Sequence, residues 1–383
     1  MIPVVVFWSS VILVVYAYAG YPCALAALAV FRRRIVAKAG IAARVSFIIT
    51  ARNEERRIRE KLENTLAQDY PRALLEILVA SDCSSDATDD VVRSYRDQVR
   101  LVRAAERKGK EAAQQLAVDA ASGEILIFSD VGTALAPDGI STMVRNFADP
   151  TVGCVSSVDA MLGTEAAGSG EGAYVRYEMR LRMLETAVHS LVGLSGSFFA
   201  ARREVCRKWT SDRQSDFSTL LKAVDLGFRG VLDPASIGYY RNIVDDRRES
   251  ERKVRTVVRG IAVVASNVRM LNPFRYGLFA WQLASHKICR WSVPFAMIGA
   301  AIGNALIVQR SVVYAATGAG QLLFYAAAVL GISTGARVLR IPAFLLRSNV
   351  AILTAWLRFA AGERITLWDP SDRLTVLPPT ASR

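Results

Sequence analysis

Two short apolar runs in the middle of the chain each end in Ser-Asp followed by small polar residues. Leu75–Ala80 leads into Ser81-Asp82, and Ile125–Phe128 leads into Ser129-Asp130. Such runs are typical of the buried strands of a parallel sheet. Because open α/β sheets bind ligands at the carboxyl ends of their strands, the two aspartates are expected where a nucleotide and its metal ion would bind.

The sequence around these runs alternates between strand-like and helix-like patterns. Strands are predicted over residues 45–50, 75–80 and 124–129, and helices over 54–67, 87–97 and 110–121. Pro137 and Asp138 are typical of the start of a further helix. This alternation predicts an α/β fold with a mostly parallel sheet and helices on both faces.

The N-terminal segment Ile2–Phe31 contains no charged residue and is followed directly by three arginines. A helix needs about 20 residues to cross a bilayer, so this segment is long enough. The alternative is a cleaved signal peptide, because Ala17-Tyr18-Ala19 resembles a processing site. The apolar run continues past that site, and the positive cluster comes after it. Both facts favour a retained anchor, with residue 32 onward in the cytoplasm.

Three further apolar segments lie near the C-terminus. Trp291–Gln309 and Ser311–Ala336 are uncharged and flanked by basic residues, which predicts a transmembrane hairpin with both ends inside. Ile341–Ala361 contains two arginines that lie within about 20° of Arg340 on a helix. A basic stripe beside an apolar face favours a helix lying in the membrane interface, and a fourth span is the alternative.

The chain is therefore predicted to consist of five successive segments. They are an N-terminal transmembrane anchor (1–34), an α/β domain (35–245), basic amphipathic interface helices (246–290), a transmembrane hairpin (291–340), and an interfacial helix with a cytoplasmic tail (341–383).

The composition excludes several classes of function. The chain has 48 basic and 35 acidic residues, but no nucleic-acid-binding motif accompanies this charge, which is better explained by anionic lipid and phosphate-bearing substrates. The five cysteines have no paired spacing, so neither a disulfide nor a zinc site is predicted. There is no P-loop. With only two histidines in the chain, proton transfer is expected to fall to carboxylates.

A set of short motifs occurs in the same order as in one known family. The motifs are Thr50-Ala51-Arg52-Asn53-Glu54-Glu55, Gln68-Asp69-Tyr70-Pro71, Asp82-Cys83-Ser84-Ser85-Asp86, Gly109-Lys110, Ser129-Asp130 and Ser195-Gly196-Ser197-Phe198-Phe199. Over roughly 200 residues the chain thus resembles a family 2 glycosyltransferase with the GT-A fold, which is a Rossmann-like α/β fold. With its apolar ends, it is similar to bacterial polysaccharide synthases such as those that make cellulose or hyaluronan.

The resemblance implies a binding site for a nucleotide-sugar, most readily a UDP-sugar. Its residues would be Thr50, Ala51, Glu54, Asp82, Lys110 and Asp130. A carboxylate at a strand end can accept hydrogen bonds from a ribose hydroxyl or a base N–H. Asp82 could instead cap the next helix or form an Asx-turn, and Lys110 could belong to a solvated basic loop.

The resemblance also implies a metal cofactor, Mg²⁺ or Mn²⁺. Asp130 matches the first acid of the family's Asp-x-Asp motif, which holds the ion on the diphosphate. Gly132 stands in place of the second acid. Metal binding is therefore expected to depend on Asp130, phosphate oxygens and water.

Asp216 is the candidate catalytic base, since Ser215-Asp216 stands where the family has a motif ending in an acid. It could equally cap a helix that ends near Gly227. Acceptor-binding residues implied by the resemblance are Ser195, Gly196, Ser197 and Arg255. The first three could form only a tight turn, and Arg255 could belong to a basic helix at lipid headgroups.

These observations predict a membrane-bound inverting glycosyltransferase in the bacterial inner membrane, multi-pass, with its catalytic domain in the cytoplasm. Its partners would be a nucleotide-sugar donor, a glycan or lipid-linked acceptor and membrane lipids, with a homo-oligomer or separate transporter where a polymer is exported, and no nucleic acid. One alternative is sugar transfer to a polyprenyl phosphate. Another is a non-catalytic glycan-binding or scaffold subunit, because the second acid near Asp130 and one near Asp216 are missing.

Overall fold

A computed structural model describes residues 1–162, 170–207, 211, 213–241 and 246–364 of the 383-residue chain. The chain divides into two units. Within the described residues, the sheet unit comprises 34–162, 189–207, 211 and 213–241, and the helical unit comprises 1–33, 170–188 and 246–364. The tail predicted within 341–383 lies, from residue 365 onward, outside the described residues.

The sheet unit is built around an eight-stranded sheet with the strand order β3-β2-β1-β4-β7-β6-β8-β5. The strands are β1 (Val45–Ala51), β2 (Leu75–Ser81), β3 (Arg100–Arg103), β4 (Ile125–Asp130), β5 (Ala134–Leu135), β6 (Val152–Leu162), β7 (Phe198–Arg202) and β8 (Arg229–Arg241). Strands β3, β2, β1 and β4 are parallel, whereas β7 is antiparallel to both of its neighbours. The sheet is therefore parallel on one side and mixed on the other.

The parallel strands are apolar on both faces because each face is covered. Every residue of β1 is buried. Phe47 and Ile49 pack into one hydrophobic cluster, while Ile48 between them packs into the cluster on the other side of the sheet. Uninterrupted apolar strands are expected where helices cover a sheet on both faces. The predicted α/β class and the three predicted strands are confirmed, each within one residue.

The described α-helices alternate with the strands in the sheet unit and follow one another in the helical unit. They are α1 (Ile2–Val15), α2 (Tyr21–Phe31), α3 (Ile58–Leu66), α4 (Thr88–Arg93), α5 (Lys110–Ala120), α6 (Gly139–Val144), α7 (Gly170–Val188), α8 (Arg203–Cys206), α9 (Ser215–Asp225), α10 (Asp246–Ser266), α11 (Pro273–Tyr276), α12 (Leu278–Leu283), α13 (Arg290–Ala305), α14 (Val312–Thr334) and α15 (Arg340–Ala360).

In the helical unit, α1 packs against α13 at two glycines. A β-carbon on Gly299 would lie 2.7 Å from Oγ of Ser10, and one on Gly303 would lie 3.0 Å from the backbone nitrogen of Phe7. Phe7 is 1% exposed. Small residues let two apolar helices approach this closely, which increases their van der Waals contact.

Among the described residues, three helices are long and apolar enough to cross a bilayer: Ile2–Phe31, Val312–Thr334 and Arg337–Ala360. The number of candidate spans equals the number predicted, but one of the three candidates is a different segment of the chain. Trp291–Gln309 is not among them. α13 ends at Ala305, and the helical run that it continues contains His286, Lys287 and Arg290. Arg337–Ala360 takes its place, and the interfacial position of that helix stays a prediction.

A buried polar cluster joins α7 to the helical run around His286. Nε2 of His286 lies 2.8 Å from Oε1 of Glu178, and its Nδ1 lies 2.6 Å from Oε1 of Glu185. Arg290 Nη1 donates to Oε2 of Glu178 at 2.6 Å, and the Tyr21 hydroxyl donates to Oε1 of Glu185 at 2.7 Å. Burial alone would raise the pKa of Glu178, but Arg290 and His286 together hold it well below its usual range. The buried Arg290 guanidinium is thus paired with a carboxylate inside the cluster.

Candidate active site

The carboxyl ends of β1, β2 and β4 meet at one edge of the sheet. Thr50 on β1 is in register with Asp130 on β4 and with Ala80 on β2. The backbone N–H of Asp82 donates to the carbonyl of Ala51 at 3.0 Å. Four residues predicted to bind the donor therefore lie side by side, as the parallel arrangement of these strands requires.

Asp82 is fully buried and fixes the loop that leads into α5. Its Oδ1 accepts hydrogen bonds from the backbone N–H of Lys108 at 3.0 Å and of Gly109 at 3.1 Å. Gly109 has φ of +96°, a conformation that favours glycine. Asp82 thus does not cap the helix that follows it in sequence. It holds the neighbouring loop, which places Lys110 at the start of α5.

Glu54 lies after β1 in an environment that favours its neutral form. It is 5% exposed, and Arg57 donates to its two carboxylate oxygens, at 2.7 Å each. Burial raises the pKa of Glu54 to about 7, although the charge of Arg57 opposes the shift, and the charge of Asp130 adds to it. A carboxyl that titrates near neutral pH is typical of a functional site.

Asp130 and Lys110 form an ion pair that reaches the predicted acceptor segment. Nζ of Lys110 lies 2.5 Å from Oδ1 of Asp130 and donates to the carbonyl of Gly196 at 3.1 Å. The backbone N–H of Asp130 donates to the carbonyl of Ser197 at 3.0 Å. The Asp130 side chain is 30% exposed, so it remains accessible to a ligand.

Asp216, in the first turn of α9, also approaches Gly196. A β-carbon on Gly196 would lie 3.0 Å from Oδ2 of Asp216. Gln214 donates to the same oxygen at 3.1 Å. The predicted base and the predicted metal ligand are therefore both connected to one glycine, Asp216 by direct approach and Asp130 through Lys110. The sheet unit brings together every predicted site residue except Arg255, which is on α10 in the helical unit.

Two residues that the sequence did not single out also belong to this site. Lys61 on α3 is buried beneath the loop after β4, where its ammonium donates to Ser129 Oγ at 2.7 Å and to the Thr133 carbonyl at 2.6 Å. Burial lowers the pKa of Lys61 to about 7, although the charge of Asp130 opposes the shift. The second residue is Asp159 on β6, whose Oδ1 accepts from the hydroxyl of Ser195 at 2.6 Å and of Ser197 at 2.8 Å.

The residues present suit a divalent ion that is held largely by its substrate. No group of three His, Cys, Asp or Glu side chains suited to a metal occurs within the described part of the chain. Asp130 offers one partly exposed carboxylate, and its Oδ1 is paired with Lys110. Mg²⁺ is commonly bound through one or two carboxylates together with substrate phosphates. Asp130 with a diphosphate would meet that requirement.

Comparisons with known proteins agree with this geometry. Residues 46–210 match the model of the family described as glycosyl transferase family 2. A beta-monoglucosyldiacylglycerol synthase from Trichormus variabilis is 25% identical over 199 residues, which are 49% of this chain and 41% of that protein. A dolichyl-phosphate beta-glucosyltransferase from Trichomonas vaginalis is 26% identical over 160 residues, 39% of this chain and 47% of that protein. The chain thus matches less than half the length of these curated relatives.

Among solved structures, a mannosyltransferase from Pyrobaculum calidifontis, in complex with GDP-Man and Mn²⁺, is similar with a TM-score of 0.74. The match covers 94% of this chain and 99% of that one, at 23% identity. At this identity the similarity shows the fold, and the predicted GT-A fold is confirmed.

Proposed function

We propose that the chain is a membrane-bound glycosyltransferase, because residues 46–210 match the model of glycosyl transferase family 2. It would transfer a sugar from a nucleotide-sugar to a hydroxyl group of a glycan or glycolipid. The observation that supports this most is the arrangement around Gly196, whose carbonyl accepts from Lys110, the partner of Asp130, and whose α-carbon is approached by Asp216. Charges for a leaving diphosphate and a base for an acceptor are thus placed close together.

In this proposal Lys110 and a divalent ion at Asp130 bind the diphosphate. The ion would neutralise charge as the glycosidic bond breaks. The ammonium of Lys110, fixed by Asp130 and the Gly196 carbonyl, is already oriented before the reaction begins. Fixed charge of this kind is usually the largest contribution to catalysis.

Asp216 would accept the proton of the acceptor hydroxyl as that oxygen attacks the anomeric carbon. Attack from the face opposite the diphosphate would invert the configuration of the sugar. A carboxylate is a weak base, but it has to accept the proton only as the new bond forms. Gln214, which donates to Oδ2 of Asp216 at 3.1 Å, would hold the carboxylate in one orientation.

The donor would be a UDP-sugar, because Thr50, Glu54 and Asp82 match the family positions that surround uridine. The structural neighbour was solved with GDP-Man and Mn²⁺, so GDP-mannose is the donor to compare with UDP-sugars.

A screen would measure nucleoside diphosphate released by the purified full chain with Mg²⁺ or Mn²⁺. Asp130→Ala is expected to abolish release, and Asp90→Asn, at a side chain that is 78% exposed, is the matched control. No release from any donor would favour the scaffold function.

Transfer to a polyprenyl phosphate is the second candidate, because one relative is named a dolichyl-phosphate beta-glucosyltransferase. A phosphate acceptor is already ionised and needs no base. Asp216→Asn separates the two candidates. With a hydroxyl acceptor, kcat is expected to fall at least about a hundredfold, the usual contribution of a general base. An unchanged kcat would instead support the phosphate acceptor.

The location we propose is the inner membrane, with several spans and the sheet unit in the cytoplasm. The three apolar helices and the arginines after Phe31 support it. The three candidate spans in the described part of the chain are too few to enclose a polysaccharide channel, so export of a polymer would require a second copy or a separate transporter. Export of elongated polymer by the purified monomer in vesicles would contradict this requirement.

A further inference from the structure

Asp159 connects the two serines that flank Gly196. Asp159 lies on β6, and Ser195 and Ser197 lie in the loop directly before β7. Its Oδ1 is 2.6 Å from Oγ of Ser195 and 2.8 Å from Oγ of Ser197, and the two hydroxyl oxygens are 2.9 Å apart. Three oxygen atoms thus form a small triangle beside the glycine that Asp216 approaches.

The triangle has more hydrogen-bond acceptors than donors. Each serine has one hydroxyl hydrogen, and an ionised carboxylate has none. The two hydrogens serve two of the three short contacts, so the third contact has no hydrogen of its own. The backbone N–H of Ser197 donates to Oγ of Ser195 over a long 3.4 Å, and the backbone N–H of Ser195 is directed elsewhere, to Oγ of Ser156 at 2.8 Å. A ligand that approaches the triangle therefore meets lone pairs and a negative charge.

We propose that Asp159, Ser195 and Ser197 bind an uncharged, hydroxyl-bearing acceptor such as a sugar or a glycerol group. This inference rests on the proposed glycosyl transfer and specifies its acceptor class. A hydroxyl of the acceptor would donate to the triangle, and this contact would hold a neighbouring hydroxyl near Asp216. A phosphate or another anion would be repelled by the Asp159 carboxylate, and it would have to compete with that carboxylate for the two serine hydroxyl hydrogens.

A purely structural role for Asp159 makes a different prediction. If Asp159 only fixes the turn, its loss would disturb Gly196, and through Gly196 the carbonyl that Lys110 contacts. Donor binding and acceptor binding would then weaken together. If Asp159 selects the acceptor, only acceptor binding and the preference for hydroxyl over phosphate would change.

The experiment uses the full chain in detergent with a saturating donor from the screen. The acceptor probes are dodecyl β-glucoside, dioleoylglycerol and undecaprenyl phosphate. Asp159→Asn keeps the shape of the side chain but adds an N–H₂ donor, and Ser197→Ala removes one hydroxyl. Asp90→Asn is the exposed control. The measurements are the acceptor KM, the donor KM, and nucleotide release without acceptor.

We expect Asp159→Asn to raise the KM of the hydroxyl acceptors about tenfold and Ser197→Ala about threefold, as for loss of single hydrogen bonds. The donor KM and the nucleotide release without acceptor should remain unchanged. Asp159→Asn should also reduce the ratio of activity with hydroxyl acceptors to activity with undecaprenyl phosphate. An unchanged acceptor KM, a parallel loss of donor binding, or a wild-type preference for undecaprenyl phosphate would overturn the inference. If the wild-type chain releases no nucleotide from any donor, the proposed glycosyl transfer itself is wrong. This failure is distinct from failure of the inference, because it is measured on the wild type and does not depend on the variants.

Discussion

Oδ2 of Asp216 lies 3.0 Å from the position that a β-carbon on Gly196 would occupy. This distance is shorter than an ordinary van der Waals contact, so any side chain at position 196 would displace the carboxylate. The glycine therefore permits the close approach of the acceptor segment to the candidate base.

The first prediction concerns this contact. Gly196→Ala is expected to lower kcat several-fold, because the added methyl group would push the Asp216 carboxylate away by a few tenths of an ångström and reaction rates depend steeply on the position of a reacting group. The donor KM should change little, since the methyl group faces Asp216. Gly40→Ala is the matched control, because a β-carbon at Gly40 would meet nothing within 4 Å. Steady-state kinetics would show the contrast, and equal activity of the two variants would contradict it.

The second prediction follows from the titration of Glu54. Burial raises its pKa to about 7, so the carboxylate becomes ionised as the pH rises through neutrality. The ionised form is the better acceptor for a ribose hydroxyl. The donor KM of the wild-type chain should therefore fall between pH 6 and 8, whereas that of Glu54→Gln should be flat. Glu106→Gln, at a side chain that is 75% exposed, should follow the wild type. A flat wild-type profile would exclude this role for Glu54.

The third prediction concerns stability and the buried Lys61. Its pKa in the folded chain is about 7, below the value of 10.5 for an unperturbed lysine. Between these values the unfolded chain binds more protons at this residue, so folding becomes more favourable as the pH rises. The Tm of the wild type minus that of Lys61→Met should increase from pH 7 to pH 9. Thermal unfolding in one detergent at both pH values tests this, and a difference that decreases with pH would be inconsistent with it.

The fourth prediction concerns the buried cluster of the helical unit. Glu178→Gln leaves the Arg290 guanidinium, which is 7% exposed, without its carboxylate. Breaking a buried ion pair from one side costs about 3–5 kcal/mol, so the Tm should fall clearly. Combining Glu178→Gln with Arg290→Met should recover part of the loss.

Glu363→Gln is the control for this fourth prediction. It breaks the surface pair between Arg358 and Glu363, which is 3.7 Å apart and partly exposed. Such pairs contribute about 0–1 kcal/mol, so its Tm should stay near that of the wild type. Similar shifts for Glu178→Gln and Glu363→Gln would show that the buried cluster does not stabilise the fold.

The sequence predicted the parallel half of the sheet because that half depends on local patterns. Apolar runs of strand length mark β1, β2 and β4, and the polar residues at their ends mark the binding edge. The antiparallel half was not predicted in comparable detail. The insertion of β7 between β4 and β6 brings together residues far apart in the chain, which no local pattern specifies.

Lys61 and Asp159 differ in whether the sequence alone could have identified them as residues of the site. Ile58, Leu62 and Thr65 are buried along one face of α3, and their spacing places Lys61 on the same face. A lysine on a buried face indicates a specific partner, so Lys61 could have been found. Asp159 gave a weaker signal, an acid that follows two serines in a strand, and its partners are in the loop before another strand. Only the tertiary structure identifies them.

The close packing of α1 on α13 bears on what proteolytic processing would do to the chain. A peptidase that cut after Ala19 would remove Ser10 and Phe7, the residues that Gly299 and Gly303 accommodate. Two glycines and the apolar residues beside them would then face lipid or solvent instead of a helix. Maturation by such cleavage would thus dismantle part of the helical unit, and the first helix contributes to its architecture as well as to membrane attachment.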